Sequence, residues 1–186
     1  MVQKVLYIHG YGSNGNTETA KNLRAALGPD FDVVSPSYDG SSPGTAAFML
    51  QATCLKSFPN KPIVVGTSLG GFFANYLSRA LHLSGVIINP SLHPSTSLQK
   101  YGESADTLDT YAALEAAEQR FISSPSRIVI LGTQDDILDH AKNGLMLEHE
   151  AEVILVPMGH RVDPAHIETV ADAVRKLAAR QAALTA

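Results

Sequence analysis

The 186-residue sequence is poor in the features that mark several classes of protein, and each shortage excludes one class. Cys54 is its only cysteine, so no disulfide can form within the chain and a disulfide-stapled scaffold is excluded. It also has no basic excess, since 14 Lys and Arg stand against 18 Asp and Glu and give a net charge of −4. Because the basic residues are scattered as well, we expect neither a nucleic acid nor an anionic membrane as partner.

Long apolar runs, repeats and linkers are absent too. The first apolar stretch, Val5 to Ile8, is far shorter than the roughly 7–15 residues of a signal-peptide core. We interpret it as the first core strand and expect a cytoplasmic protein without membrane insertion. With no linker in view, residues 1–186 are predicted to form one domain, which at this length buries about 70% of its unfolded surface.

What the sequence does contain is a regular alternation of strand and helix patterns. Strands are predicted at 4–8, 31–35, 62–66, 85–89, 127–132 and 152–156. Their continuous Val, Ile and Leu content is typical of a sheet covered on both faces. The alternation predicts a compact α/β fold, with a mostly parallel sheet of about six strands and helices on both faces.

The most informative motif is G-T-S-L-G at residues 66–70, between a predicted strand and a helical pattern. In this context it predicts a nucleophile elbow, a turn so tight that Ser68 is strained and its hydroxyl exposed. Gly66 and Gly70 are needed because a Cβ would collide with the neighbouring strand or helix. The Leu69 N–H would point toward an oxyanion formed at the serine.

The motif alone is weak evidence, because glycine is common and Ser68 could simply cap the following helix. A serine nucleophile needs a histidine base and a carboxylate, which follow it in that fold in the order serine, acid, histidine. Asp135 and Asp136 lie just after the fifth predicted strand, and His160 lies just after the sixth. Since the carboxyl ends of parallel strands share one edge, Ser68, Asp135 and His160 are expected to converge there.

Residues 91–124 form a longer connection than a simple crossover requires. They contain Pro94, a polar stretch and a helical pattern, and they leave the strand 85–89 beside the expected site. Two interpretations stay open: a crossover helix with a long loop, or a small lid that bears on an acyl pocket.

Several motifs together resemble one known family. They are the H-G-Y-G-S run at 9–13, the elbow with the G-F-F-A that follows it, Asn89-Pro90-Ser91, Thr133-Gln134-Asp135 and Gly159-His160. Over almost its whole length the chain resembles the small bacterial YqiA-like esterases of the α/β-hydrolase superfamily. The resemblance implies serine esterase or thioesterase chemistry. It assigns the nucleophile to Ser68, the acid to Asp135, the base to His160 and a second oxyanion N–H to Tyr11.

Two choices within this set are open. The chain has two adjacent acids where the family commonly has Gly-Asp, and we favour Asp135 over Asp136 because it leaves the strand first. Either Asp135 or Asp136 could instead cap the following helix or form a turn. His160 competes with His166, which is expected on the first turn of the last helix. We favour His160 because a loop lets its imidazole reach the serine.

The glycine-rich loop after the first strand admits a competing function. Gly10, Gly12 and Gly15 fit G-x-G-x-x-G, which is the fingerprint of an NAD(P)-binding oxidoreductase. Against this, the second strand ends in V-S-P at 34–36 without a ribose-binding acid, and the helix begins only after Gly15. The same glycines suit an oxyanion loop that presents the Tyr11 N–H, with His9 as its support.

We therefore predict a serine hydrolase that cleaves a small-molecule carboxylic ester or thioester through an acyl-enzyme. No cofactor is expected, and no His, Cys or carboxylate cluster has metal-ligand spacing. A non-catalytic binding module with a hydrolase-like fold is the other alternative. Such a module would not need all three triad residue types in order.

Overall fold

The computed structural model describes residues 2–121 and 125–185, and its centre is a single six-stranded sheet. All neighbouring strands pair in parallel, in the order β2-β1-β3-β4-β5-β6. The strands are β1 (Gln3–Ile8), β2 (Phe31–Val34), β3 (Ile63–Thr67), β4 (Gly85–Ile88), β5 (Arg127–Gly132) and β6 (Glu152–Val156). Each lies within one residue of the range predicted from the sequence, so the predicted parallel sheet is confirmed.

Helices connect the strands and cover both faces of the sheet. They are α1 (Glu18–Leu27), α2 (Pro43–Leu55), α3 (Leu69–Leu81), α4 (Pro94–Ser97), α5 (Ala105–Glu118), α6 (His140–Leu147) and α7 (Ile167–Thr185). Two short 3₁₀ turns span Gln99–Tyr101 and Pro164–His166. Across the described ranges, we find no helix with both the length and the apolar content needed to cross a bilayer.

The alternation of side chains along each strand explains the continuous apolar runs. Val5 and Tyr7 of β1 enter the core beneath α1 and α7, whereas Leu6 and Ile8 enter the core beneath α2, α3 and α5. Successive residues of a strand point to opposite faces, so a strand buried on both sides is apolar along most of its length. The buried Arg127 at the start of β5 is an exception.

The pairing register brings the carboxyl ends of the central strands level with one another. Ile8 of β1 lies opposite Gly66 of β3, and Ile88 of β4 lies opposite Thr67. The residues that follow β1, β3 and β4 therefore leave the sheet from one edge. The chain turns outward from β1 to β2 and then returns to β3 on the other side of β1. Such a reversal of strand order opens a crevice at the carboxyl edge.

The long connection after β4 consists of a crossover helix and a segment that precedes it. Helix α5 is the crossover helix, and its buried Tyr111 packs beneath α2 and α3 and donates a hydrogen bond to the Gly40 carbonyl at 2.6 Å. Residues 91–104 precede it as a separate excursion that includes α4. Residues 122–124, the last of the predicted segment, lie outside the described residues. That the excursion works as a lid stays a prediction, as does the single-domain assignment of residues 1–186.

Candidate active site

The loops that follow β1, β3, β5 and β6 meet at the carboxyl edge and line one cleft of about 630 Å³. The excursion after β4 supplies another wall. Its contributions are Ser91, Ser97, Leu98, Lys100 and Tyr101. A cleft of this volume is within the usual range for small-molecule sites.

Ser68 occupies the turn between β3 and α3 with a strained backbone, φ 58° and ψ −118°. A Cβ on Gly66 would lie 1.9 Å from the Gly70 carbonyl oxygen, and one on Gly70 would lie 2.1 Å from the Ile8 carbonyl oxygen. No side chain fits at either position, which is the steric requirement expected of the motif. Without room for side chains, strand and helix approach closely enough to hold Ser68 at the tip of the turn.

The three residues expected to converge are in contact. The His160 Nε2 atom lies 2.9 Å from Ser68 Oγ, and His160 Nδ1 lies 2.8 Å from Asp135 Oδ2. The ionised carboxylate only accepts, so Nδ1 carries the proton and Nε2 presents its lone pair to the serine hydroxyl. This tautomer is the one that a general base at Ser68 requires.

The Asp135 carboxylate is oriented from both ends. Its Oδ1 accepts hydrogen bonds from the Ile137 and Leu138 backbone N–H groups at 2.8 and 3.0 Å, while Oδ2 faces His160. Its side chain is only 1% exposed. Asp136 is exposed, and its carboxylate has no protein hydrogen-bond donor in the described part of the chain. Of the two adjacent acids, Asp135 is therefore the one in contact with the histidine.

Two backbone N–H groups next to Ser68 are available to a ligand. Tyr11 and Leu69 both line the cleft, and neither N–H donates to an acceptor within residues 2–121 and 125–185. Leu69 is the first residue of α3, so its N–H also belongs to the positive end of the helix dipole. An anion bound here would meet unpaired donors.

His9 supports the loop that carries Tyr11 and does not contact Ser68. It is buried, and its ring stacks on Tyr38 with a centroid separation of 4.3 Å. Its Nδ1–H donates to the Gly10 carbonyl at 2.8 Å, and its Nε2 accepts from the Tyr38 N–H at 3.2 Å. Desolvation by burial lowers the pKa of His9, so the neutral ring that makes both bonds is favoured.

The glycines of the same loop have separate steric tasks. A Cβ on Gly10 would lie 3.4 Å from the Ser68 Cβ, whereas one on Gly15 would lie 2.0 Å from the Ser35 carbonyl oxygen beyond β2. Helix α1 begins at Glu18 behind an N-cap at Thr17, so Gly15 precedes the helix. In the dinucleotide fingerprint the last glycine packs inside the helix.

Tyr11 is also held by the excursion after β4, through contacts that sequence reasoning missed. Its hydroxyl donates a hydrogen bond to Glu103, and its ring stacks on Tyr101 with centroids 5.2 Å apart. Ser41 donates to the same Glu103 oxygen at 2.7 Å. The hydrogen bond to Glu103 is the main reason that the pKa of Tyr11 is raised. No motif marks this contact, because Tyr11 and Glu103 are 92 residues apart.

The cleft has a partly cationic rim. Lys100 and Arg161 line it, while the lining Glu18 forms an ion pair with Lys21 at 2.9 Å. Within the described residues, no group of three or more His, Cys, Asp or Glu side chains is placed to hold a metal ion.

An all-parallel sheet with a strained serine after β3, an acid after β5 and a histidine after β6 is the architecture of the α/β hydrolases. Two solved structures share this fold. The first is Est1E from Butyrivibrio proteoclasticus, with a TM-score of 0.72 and 14% sequence identity, and the match covers 97% of this chain and 88% of Est1E. The second is the thioesterase domain from the curacin biosynthetic pathway, with a TM-score of 0.70 and 11% sequence identity, and the match covers 93% of this chain and 91% of that domain.

The chain belongs to the uncharacterised protein family UPF0227, which it matches over residues 4–171. A UPF0227 protein from Vibrio atlanticus (strain LGP32) is 26% identical over 156 residues, which cover 81% of this chain and 86% of the relative. The predicted YqiA-like family and α/β-hydrolase fold are thereby confirmed.

Proposed function

We propose that the protein is a serine hydrolase that cleaves small-molecule carboxylic esters or thioesters through an acyl-enzyme. One observation supports this most directly: Ser68 Oγ, the His160 ring and the Asp135 carboxylate form an unbroken hydrogen-bonded chain. Beside it lie the Tyr11 and Leu69 N–H groups, which have no acceptor in the part of the chain that the structure describes. A binding module has no need of a strained serine whose hydroxyl is paired with a base.

In acylation, His160 Nε2 takes the Ser68 hydroxyl proton while Oγ attacks the carbonyl carbon of the substrate. The charge that develops on the carbonyl oxygen is stabilised by the Tyr11 and Leu69 N–H groups, each contributing on the order of 3 kcal/mol by analogy with known oxyanion donors. Asp135 stabilises the imidazolium. The tetrahedral intermediate then collapses, and His160 returns its proton to the departing alcohol or thiol.

Deacylation repeats these steps with water. His160 takes a proton from water, the hydroxide attacks the acyl carbon, and the bond to Ser68 Oγ breaks as His160 protonates that oxygen. The free acid leaves and the resting state is restored. No group outside these residues and water is needed to balance either half-reaction.

The choice between ester and thioester depends on the cleft and on the leaving group, not on the triad. The curacin-pathway neighbour is a thioesterase domain, which supports thioesters as one substrate class. Est1E matches the fold with a similar TM-score, and that likeness does not favour esters over thioesters or the reverse.

An alkyl fluorophosphonate tests the proposal, because it reacts with an activated serine and not with an ordinary surface hydroxyl. One equivalent should bind at Ser68, as located by peptide mass analysis. Ser68→Ala should abolish labelling and lower turnover of p-nitrophenyl esters by several orders of magnitude with the fold intact. Labelling elsewhere, or full activity in Ser68→Ala, would overturn the proposal.

A further inference from the structure

The turn after β4, formed by Asn89, Pro90 and Ser91, lies between the elbow and the loops of the acid and the histidine. Strand β4 pairs with β3 on one side and β5 on the other. Asn89 follows β4 directly, is buried at 1% exposure, and has a left-handed backbone with φ +40°. A left-handed, buried, polar residue at this place requires an explanation beyond the turn itself.

The side chain of Asn89 uses both ends of its amide to join two loops. Its Oδ1 accepts from the Gly132 N–H at 2.7 Å, at the end of β5 and three residues before Asp135. Its Nδ2 donates to the Gly159 and His160 carbonyl oxygens, both at 3.0 Å. One acceptor and two donors are thus satisfied by the backbones that carry the acid and the base.

The same turn also holds the backbone of the serine. The Ser91 N–H donates to the Ser68 carbonyl at 3.0 Å, and the Ser68 N–H donates to the carbonyl of Ile88 at 3.0 Å. Asn89 and Ser91 between them therefore contact all three loops whose side chains form the Ser68–His160–Asp135 chain.

We infer that Asn89 is a positioning residue for the proposed reaction, fixing the His160 loop relative to the Asp135 loop and the elbow. This inference rests on the proposed function. It follows from the attachment of the Asn89 amide to the carbonyl of His160 itself, since a shift of that carbonyl moves the imidazole away from Ser68 Oγ. A displacement of about 1 Å in a catalytic group can lower turnover by roughly 10²-fold.

A purely conformational role for Asn89 makes a different prediction. If the residue serves only to adopt positive φ, glycine would serve at least as well, because it adopts this conformation without strain. If the amide bonds position the histidine, glycine satisfies the backbone but leaves the Gly159 and His160 carbonyls without donors. Aspartate keeps the shape and an acceptor for the Gly132 N–H, but it sets a carboxylate oxygen against those two carbonyls.

Asn89→Gly and Asn89→Asp are therefore the test variants. Asn143→Ala is the matched control, because Asn143 Nδ2 donates to the Pro90 carbonyl of the same turn at 2.9 Å without reaching the histidine loop. Asn75→Ala controls for the loss of a buried asparagine far from the cleft, where the amide joins Glu118 and Arg127. Each protein is assayed with p-nitrophenyl butyrate well below its own melting temperature.

We expect kcat to fall about 10²-fold in both Asn89 variants with KM within about threefold of the wild type. The controls should keep kcat within about threefold. The pH profile supplies a readout that lost stability would not move. With the base displaced, the residual kcat of Asn89→Gly should keep rising with pH where the wild-type profile has levelled, because hydroxide replaces His160.

The outcomes separate this inference from the proposed function. If the wild type neither hydrolyses esters nor reacts with a fluorophosphonate, the proposed function fails. If the wild type does both but Asn89→Gly keeps its kcat and its pH profile, the positioning role is wrong and the hydrolase stands. Should Asn89→Gly not fold, Asn89→Asp decides in the same way. Should neither variant fold, the inference is overturned, because the residue then acts through folding.

Discussion

The His160 ring lies 2.8 Å from Asp135, whereas Asp136, the next residue, is exposed to solvent. Both acids lie beyond the turn at Thr133 and Gln134 that follows β5, and Asp135 is the one whose side chain is buried, with only 1% of it exposed. Asp135 is further held by two backbone N–H groups, which fixes its second oxygen on the imidazole.

Asp135→Asn should therefore be the severe substitution and Asp136→Asn the mild one. An amide at position 135 keeps the shape but favours the wrong histidine tautomer, which costs on the order of 10⁴ in turnover in the best-studied triad. Asp136→Asn should change kcat less than about twofold and stability by no more than about 0.5 kcal/mol. The measurement is kcat on any ester that the wild type accepts. Near-wild-type rates in both variants would refute the triad assignment.

The elbow glycines give a prediction about folding. Gly66→Ala places a Cβ 1.9 Å from a backbone oxygen that cannot move independently, so we expect a loss of more than about 4 kcal/mol or no folded protein. Gly44 in α2 is the control, because the nearest atom to its added Cβ is 3.8 Å away. Gly44→Ala should leave the free energy of unfolding unchanged or raise it by up to about 1 kcal/mol. Urea titration followed by circular dichroism measures both; similar stabilities would contradict the steric reading.

The strands and the elbow could be predicted from the sequence for a physical reason. A strand buried on both faces must be apolar along most of its length, and a turn without room for a Cβ must contain glycine, so both leave a local pattern. The position of Asp135 followed from its place at the strand end.

The contacts that support the site left no such pattern, although His9 and Asn89 themselves lie in motifs that the sequence shows. His9 and Tyr38 are hydrogen-bonded although 29 residues apart in sequence, and Asn89 and His160 are hydrogen-bonded although 71 residues apart. Each of these bonds joins two loops whose separation depends on the whole sheet. Nothing in the neighbouring residues marks either partner, and His9 was expected to support the loop without any indication of what would hold it.

The conformation of the glycine-rich loop predicts that nicotinamide cofactors do not bind to it. Since Gly15 packs on Ser35 ahead of α1, saturating NAD or NADP should not raise the melting temperature. A true ligand at one hundred times its dissociation constant would stabilise the fold by about 2.7 kcal/mol. Differential scanning fluorimetry with increasing cofactor checks this. A dose-dependent rise would revive the dinucleotide-binding hypothesis.

The oxyanion loop should be sensitive to its contact with the excursion after β4. Tyr11→Phe keeps the backbone N–H and the ring but loses the hydrogen bond to Glu103, so the N–H is held less firmly and kcat should fall by about 2–10-fold. Ser41→Ala removes the other hydrogen bond to Glu103 and leaves Tyr11 bound, so its kcat should stay near that of the wild type. Equal kcat losses in the two variants would show that Glu103 acts on the loop by another route.

The last prediction concerns acid stability and His9. Burial lowers the pKa of His9 in the folded state below its usual value of about 6.5, so between these two values the unfolded chain binds more protons than the folded one. Its contribution to stability is present above pH 6.5 and is lost as the pH falls toward the folded-state pKa. Protonation of Nε2 would also replace the lone pair that accepts the Tyr38 N–H.

The free energy of unfolding should therefore decline between pH 7 and pH 5, and His9→Gln should make that decline shallower.

Tyr38→Phe is the control, because it removes the hydrogen bond from the Tyr38 hydroxyl to the His9 carbonyl but leaves the imidazole in place. Burial raises the pKa of Tyr38 well above 10, so its hydroxyl does not titrate in this range. Tyr38→Phe should lower stability by about 1 kcal/mol at both pH values with the slope unchanged. Urea titrations at pH 5, 6 and 7 measure these slopes. An unaltered slope in His9→Gln would mean that other groups cause the acid sensitivity.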